Sequence, residues 1–353
     1  MAASSSTSSS KAVRRFLIKL VAFGLMMLAL DYALGSTIEY FFRRTLYGKN
    51  WPKENLLLSH PYEVVVFGSS RAFRHYVPSI ISEATGLECF NAGANGQYLL
   101  YAYALEQLMF DRYAPKVVVL DVLPSYVVDL TGVENEYDKL KTLLPFVYNR
   151  EVRWLLSRHD RYAWLKQRSK LYRYNSRVLS ILSNYRNKTD VTDHGYVDVG
   201  RVRFHEVNPF IVDSMDPSRV RIDSFKVGIF ERFVRSAREH GCKVVISFSP
   251  TVEPLSRRAK QLLSFYDQLC LQLGVPFVKV LTSEHPEFAD RSLFMDYIHM
   301  NAAGAEHFSR IFGRRLARIL DAESENPVVE TPSGAYLGAA EVRAKDAAGN
   351  AGG

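Results

Sequence analysis

Three short stretches hold residue types that can act together chemically. Asp296 precedes His299 by three residues in Phe294-Met295-Asp296-Tyr297-Ile298-His299-Met300-Asn301. At that spacing a carboxylate can reach Nδ1 of the same imidazole, fix its tautomer and leave Nε2 as a general base. Helix capping would use the same residues, since Asn301 is a good N-cap for the helical stretch after it. A base needs a nucleophile, and Val66-Phe67-Gly68-Ser69-Ser70-Arg71 offers hydroxyls directly after a β-like run. Doubly wound folds place their ligands there, although Gly-Ser-Ser is also ordinary turn chemistry. The third stretch, Asn91-Ala92-Gly93-Ala94-Asn95-Gly96, has two glycines three apart. It is either a loop that aims amide N–H groups at an oxyanion or a simple Gly/Asn turn.

Other chemistries find less support. His60, His75, His159, His194, His205, His240, His285 and His307 lack a partner like Asp296 and read as structural or surface residues. His299 and His307 are eight apart, the wrong spacing for a helical metal pair, so no metal and no cofactor is expected. Cys89, Cys242 and Cys270 are too few and too scattered for a disulfide scaffold or a zinc knuckle.

The three stretches sit among alternating strand-like and helix-like segments. Glu63–Phe67, Lys116–Asp121 and Lys243–Phe248 are β-branched runs suited to strands buried on both faces, with Glu88–Asn91 and Pro276–Val280 as shorter ones. Helical periodicity fills Val77–Thr85, Tyr98–Tyr113, Ser224–His240, Ser256–Leu273 and Ala302–Leu320, with Gly86, Gly241 and Gly274 placed to cap three of them. This alternation predicts a three-layer α/β fold around a parallel sheet, extending over residues 60–322.

A segment of about 100 residues, roughly 123–222, breaks the alternation and reads as a helical insertion beside or over the C-terminal edge of the sheet. Within it, Lys139–Lys188 carries 13 basic residues against two acidic ones, while the whole chain is only +8. Trp154, Tyr162, Trp164, Tyr172, Tyr174 and Tyr185 are interleaved. A basic, aromatic surface suits nucleic acid, anionic lipid headgroups or an acidic glycan, or is simply a solvated face. An exported protein rarely meets nucleic acid, so lipid or glycan is preferred.

Export is implied by the N-terminus. Residues 1–15 read as a disordered basic start, and Phe16–Leu34 is a 19-residue apolar stretch, about 28 Å as a helix, broken by Lys19 and Asp31. A cleaved signal peptide is the rival reading, with Ala33-Leu34-Gly35 as its cleavage site. The amphipathic, aromatic segment directly after it favours an uncleaved anchor, with residues 35–59 as a juxtamembrane linker. Lys11, Arg14 and Arg15 then place the N-terminus in the cytoplasm and the rest outside it, in the periplasm if the cell is Gram-negative. Residues 323–353 read as a disordered tail. Asn187-Lys188-Thr189 would accept a glycan in a eukaryotic secretory compartment.

Together the three stretches resemble the SGNH/GDSL hydrolase superfamily in motif and in order, over roughly residues 60–320. Gly68-Ser69-Ser70 matches its first block, Gly96 the glycine of its second, and Asp296 to His299 its last. The resemblance implies a flavodoxin-like sheet of five parallel strands, Ser70 as nucleophile, His299 as base and Asp296 as its partner, with the Ser70 and Gly96 amides holding the oxyanion. The Gly-Ser-Ser variant with an N-terminal anchor is similar to membrane-bound members that act on cell-envelope polymers, such as D-alanyl-lipoteichoic acid transfer and exopolysaccharide O-acetylation proteins. The family's third-block asparagine is missing: the third strand runs on as Leu120-Asp121-Val122-Leu123-Pro124-Ser125-Tyr126. Asn95 and Arg71 are candidates to replace it, and Arg71 and Asn91 to contact substrate. An α/β-hydrolase fits less well, because its serine does not follow the first strand and Gly68-x-Ser70-x-Ala72 lacks that motif's last glycine.

The expected activity is ester hydrolysis or acyl transfer, most simply of acetyl, on an envelope or exported polysaccharide or another ester. Two further readings remain: an esterase acting on lipid at the bilayer, and a membrane-anchored, non-catalytic factor that binds a polymer and keeps a degenerate site.

Overall fold

The computed structural model describes residues 6–47, 53–131, 136–158, 160–175, 177–186, 192–200, 202–206, 210–216 and 220–325. His159, the Asn187 sequon and most of the 323–353 segment lie outside them. Five strands form one parallel sheet: β1 (Val64–Phe67), β2 (Cys89–Asn91), β3 (Val117–Asp121), β4 (Lys243–Phe248) and β5 (Phe277–Lys279). Their order is β2-β1-β3-β4-β5. The three longest strands are built from β-branched and aromatic residues because both faces are covered. Val65, Phe67, Val118 and Leu120 join the main core, and Val64, Val66, Val117 and Val119 are equally buried on the other side.

The helices come in chain order: α1 (Ser6–Arg44), α2 (Lys53–Leu57), α3 (Ser70–His75), α4 (Pro78–Thr85), α5 (Leu99–Phe110), α6 (Glu136–Lys139), α7 (Arg150–Ser157), α8 (Ala163–Arg168), α9 (Lys170–Tyr174), α10 (Val178–Asn184), α11 (Ile211–Ser214), α12 (Ser224–Glu239), α13 (Arg257–Leu273) and α14 (Ala302–Glu325). Helices α5, α12 and α13 contribute to the main core. On the opposite face Tyr76 packs edge-on against Phe308 and Phe312 of α14, both ring centroids at 5.0 Å. Gly86 and Gly274 end α4 and α13 in the left-handed conformation. The chain divides into two compact units, 1–315 and 316–353. Of the second, only the helical start through Glu325 is described.

The insertion is helical and joins the sheet through a narrow base. Asp129 N–H donates to Arg221 C=O at 2.9 Å and Asp223 N–H to Val127 C=O at 2.8 Å, closing its two ends on each other. Part of its body packs against α5 and α1, and part reaches the C-terminal edge of the sheet, where the His194 carbonyl accepts the Asn91 N–H at 2.9 Å, His205 N–H donates to the Met295 carbonyl at 2.7 Å and the Phe210 ring centre lies 6.4 Å from that of Phe248. Asn149 Nδ2 donates to the Asp111 carboxylate at 2.9 Å, Tyr103 OH donates to Glu151 at 3.0 Å, and α9 lies along α1.

The N-terminal helix is longer than the apolar run at both ends. It begins at Ser6, where a disordered start is expected, and reaches Arg44 through the expected linker. Its stretch Ser10–Arg44 is long and apolar enough to cross a membrane. Val13, Phe16, Leu20, Phe23 and Leu28 point into open space, whereas Phe42 is buried in the main core. Between these two regimes the helix meets α9. Asp31 accepts hydrogen bonds from Ser169 Oγ at 2.5 Å and from the N–H groups of Lys170 and Leu171 at 2.9 and 3.2 Å. Lys170 Nζ pairs with Glu39 at 3.1 Å. Gly35 makes this approach possible, since a Cβ there would lie 2.4 Å from Lys170 Cβ and 2.7 Å from the Leu171 nitrogen. Gly35→Ala is therefore expected to cost about 1–3 kcal/mol through overpacking. Gly24→Ala meets nothing within 4 Å and leaves stability in place. Thermal unfolding of the two full-length variants in detergent checks the contrast.

Candidate active site

The sheet order reverses between β1 and β3, and the chain leaving β1 emerges at that switch point, where doubly wound sheets hold ligands. Gly68 turns with φ +152°, and a side chain there would press on Ala72 Cβ at 2.7 Å and on the Asp121 carbonyl at 3.0 Å. Ser69 caps α3 by accepting the Arg71 N–H at 3.3 Å, which makes Ser70 the first helical residue. The Ser70 N–H consequently has no acceptor inside the helix. Sequence reading missed α3 because six residues give no usable period.

At the other end, Phe294 and Met300 form an antiparallel bridge, and Met295 N–H donates to the His299 carbonyl at 2.8 Å. Residues 295–299 thus form a tight loop just before α14. Asn301 caps that helix through the Gly304 N–H at 3.2 Å, so the capping role and the Asp-His pair coexist. Within the loop His299 Nδ1 lies 2.8 Å from Asp296 Oδ2, and the N–H groups of Ile298 and His299 donate to Oδ1, both at 2.9 Å. Burial would raise the Asp296 carboxyl, but the imidazole and these backbone donors outweigh it and hold it below the ordinary carboxylate value. His299 Nε2 lies 2.7 Å from Ser70 Oγ, across 229 residues of sequence. Hydroxyl, imidazole and carboxylate therefore stand in one relay, half-buried, in the order needed to move a proton off Ser70.

The second stretch runs alongside. Ala92 N–H donates to Val66 C=O at 2.8 Å and Ala94 N–H to Gly68 C=O at 3.0 Å, so the loop continues the β1–β2 register. Asn95 and Gly96 come next, exposed at the same end of the sheet as Ser69 and Ser70. The insertion reaches this edge through Lys139, whose Nζ would sit 3.7 Å from a Cβ on Gly96. A cavity of roughly 240 Å³, lined by Phe210, Asp213, Glu253, Leu255 and Tyr297 among others, opens beside the Asp296–His299 loop.

Two assignments change. Arg71 and Asn91, expected to meet substrate, are both fully buried. Arg71 donates through Nη2 to the carbonyl and, at 2.7 Å, to the hydroxyl of Ser249, and its guanidinium stacks 4.3 Å from the Phe248 ring. That geometry also removes it as an oxyanion donor. Asn91 donates to the carbonyls of Ala72 and Tyr76, both at 2.7 Å, and accepts the Gly93 N–H at 2.9 Å. It braces α3 against the second loop.

Three further residues were not singled out in the sequence. Ser249, just past β4, also bonds His75 Nδ1 at 2.7 Å. His75 Nε2 accepts the Met300 N–H at 3.0 Å, which puts the His75 proton on Nδ1 and has it donate to Ser249. Lys53 of α2, wholly buried, donates to the Gly93 carbonyl at 2.6 Å and lies 4.5 Å from the Phe73 ring. No spacing or composition signal marks such residues, because their polar partners come from distant segments. His60, His285 and His307 do have glutamate neighbours, Glu88 at 2.8 Å and Glu287 at 3.1 and 3.4 Å, but all are surface pairs. Among the described residues no group of three or more His, Cys, Asp or Glu is arranged to hold a metal ion. No protein-family model matches the chain, and no curated protein sequence matches it.

Burial, reinforced by the Arg71, His299 and Arg74 charges, pushes His75 well below the ordinary histidine value of 6.5. Above that pH both folded and unfolded chains keep it neutral. Below it only the unfolded chain takes up the proton, so stability falls with acidification, by up to about 1.4 kcal/mol per pH unit from this group. Unfolding free energy measured between pH 7 and 5 is expected to drop less steeply in His75→Gln than in the parent.

Proposed function

We propose that the protein is a membrane-anchored serine esterase or O-acyltransferase of the SGNH/GDSL type, acting on an acylated envelope or exported polysaccharide. The observation that carries this reading is the unbroken relay Ser70 Oγ to His299 Nε2 and His299 Nδ1 to Asp296. Ser70 Oγ attacks the ester carbonyl carbon as its proton passes to His299 Nε2, and Asp296 stabilises the imidazolium. The tetrahedral oxyanion is held by the Ser70 N–H and, across the β1–β2 register, by the Gly96 N–H. Asn95, exposed in the same turn, is the remaining candidate for the absent third-block asparagine. Collapse breaks the bond to the leaving alkoxide, which takes the proton from His299 and leaves an acyl-serine. Water or a sugar hydroxyl then gives its proton to His299, attacks the acyl carbon and releases Ser70.

The packing of α1 supports an anchor that is kept. Cleavage after Gly35 would cut the helix inside its contact with α9 and separate Asp31 from Ser169 and Lys170. The basic residues before the apolar run favour a cytoplasmic N-terminus and an extracytoplasmic site.

Labelling of the full-length protein in detergent with a fluorescent fluorophosphonate tests the reading. The full chain is needed because Phe42 belongs to the core. Ser70→Ala is expected to abolish labelling, His299→Ala to nearly abolish it, and Asp296→Asn to slow it by about 10⁴ through loss of the correct tautomer. A folded parent protein that takes no label would point instead to a binding factor with a degenerate site.

A further inference from the structure

The insertion joins the globular domain to α1 at the end of its exposed apolar stretch. From Phe16, just after Arg15, to Leu34 this stretch is about 28 Å long, close to the thickness of a bilayer core, with its last turn running from Asp31 to Leu34. The hydrocarbon boundary on this side therefore falls near Asp31. The residue after it, Tyr32, is exposed and carries the Lys170 ammonium 4.6 Å from its ring centre, an aromatic and a lysine together at the boundary.

Helix α9 starts at that level and climbs away from it. Its Ser169–Leu171 end is clamped on Asp31, while Tyr174 lies 5.3 Å from the Phe42 ring, eleven residues further along α1. The end of helix α10 lies at that same level, with Tyr185 against Phe41 at 4.6 Å. Helix α8 ends at Arg168, immediately before Ser169, and packs beside α9, with Arg173 Nε donating to the Gln167 carbonyl at 2.7 Å, so it lies close to the Asp31 clamp. Leu165 is four residues from Ser169, within about 14 Å of the Asp31 clamp even if the chain is fully extended.

The side chains of α8 and its lead-in divide into two faces. Ala163 and Gln167 are buried, with Gln167 Nε2 donating to Ser157 Oγ at 3.1 Å. Tyr162, Trp164 and Leu165 are 57%, 56% and 54% exposed, and Arg161 and Arg168 are exposed with them. Arg168 lies 5.4 Å from the Trp164 ring. Among the described residues nothing covers this outward face of tryptophan, tyrosine, leucine and two arginines.

We propose that α8 is an interfacial helix. It lies in the headgroup layer of the membrane that α1 crosses, with Trp164 and Leu165 inserted at the acyl boundary and Arg161 and Arg168 on anionic headgroups. The proposal rests on the reading of α1 as a retained membrane span. With α1 and α8 both held, the domain has two attachments to the bilayer and cannot swivel about the anchor.

The test uses the full chain reconstituted into phosphatidylglycerol-containing vesicles, with single nitroxide labels at Leu25→Cys, Leu165→Cys and Leu271→Cys. All three positions are exposed and the native cysteines are buried. Collision with oxygen should dominate at position 25, collision with a water-soluble nickel complex at position 271, and position 165 should fall between them. It should move toward position 271 when phosphatidylcholine replaces the anionic lipid. Position 25 in lipid with position 165 as wet as 271 overturns the interfacial helix and leaves the span standing. A wet position 25 overturns both, and a position 165 indifferent to lipid charge overturns the role given to the arginines.

Discussion

One buried hydroxyl holds the candidate site together. Ser249 Oγ takes the Arg71 guanidinium and the His75 imidazole, each at 2.7 Å. Arg71 is the residue after Ser70, and His75 grips the amide of Met300, the residue after His299. The neighbours of both Ser70 and His299 are thus tied to a single point just past β4. Removing one partner of such a group leaves the others buried and unpaired, at about 1–3 kcal/mol each, so the network is held as a unit. Asp121 completes it by accepting the Ser249 N–H at 3.2 Å and the Tyr76 hydroxyl at 2.7 Å. The short approach of Ser70 to His299 depends on this arrangement beneath it.

Much of the scaffold was legible because it obeys local rules. Continuous β-branched runs give strands buried on both faces, and all five lie within a residue of where Glu63–Phe67 and its counterparts place them. Helices ended where Gly86 and Gly274 allowed a left-handed residue. The Asp296–His299 pair was legible for the same reason, since both residues belong to one tight loop. Polar residues after a strand were harder to read. Arg71 and Asn91 have the composition of a binding loop, and only the tertiary partners, Ser249 and the Ala72 and Tyr76 carbonyls, show that they face inward. Lys53 escaped for the converse reason, since nothing adjacent in sequence announces a buried cation, whereas His75 is structural, as its lack of an acidic partner suggested.

The N-terminal helix shows how hydropathy locates a segment without assigning all its roles. The apolar stretch was evident, but its continuation through Thr37–Arg44 is fixed by packing. Phe42 enters the core, Gly35 admits α9, and Asp31, which looks like a flaw in a membrane span, caps a helix of the insertion. A helix long and apolar enough to cross a membrane is thus also a structural member, and the domain is continuous with it.

The narrow base of the insertion bears on how such a chain can vary. Because Val127–Asp129 and Arg221–Asp223 bond to each other, β3 and β4 experience the same short closure whatever lies between. Loop-closure entropy grows only slowly with length, so residues can be gained or lost in the exposed turns of the insertion, away from Phe146, Val152 and Tyr174 in the core, at little cost to the sheet. Those turns can therefore diverge quickly, while the sheet and loops that hold Ser70 and His299 stay almost fixed.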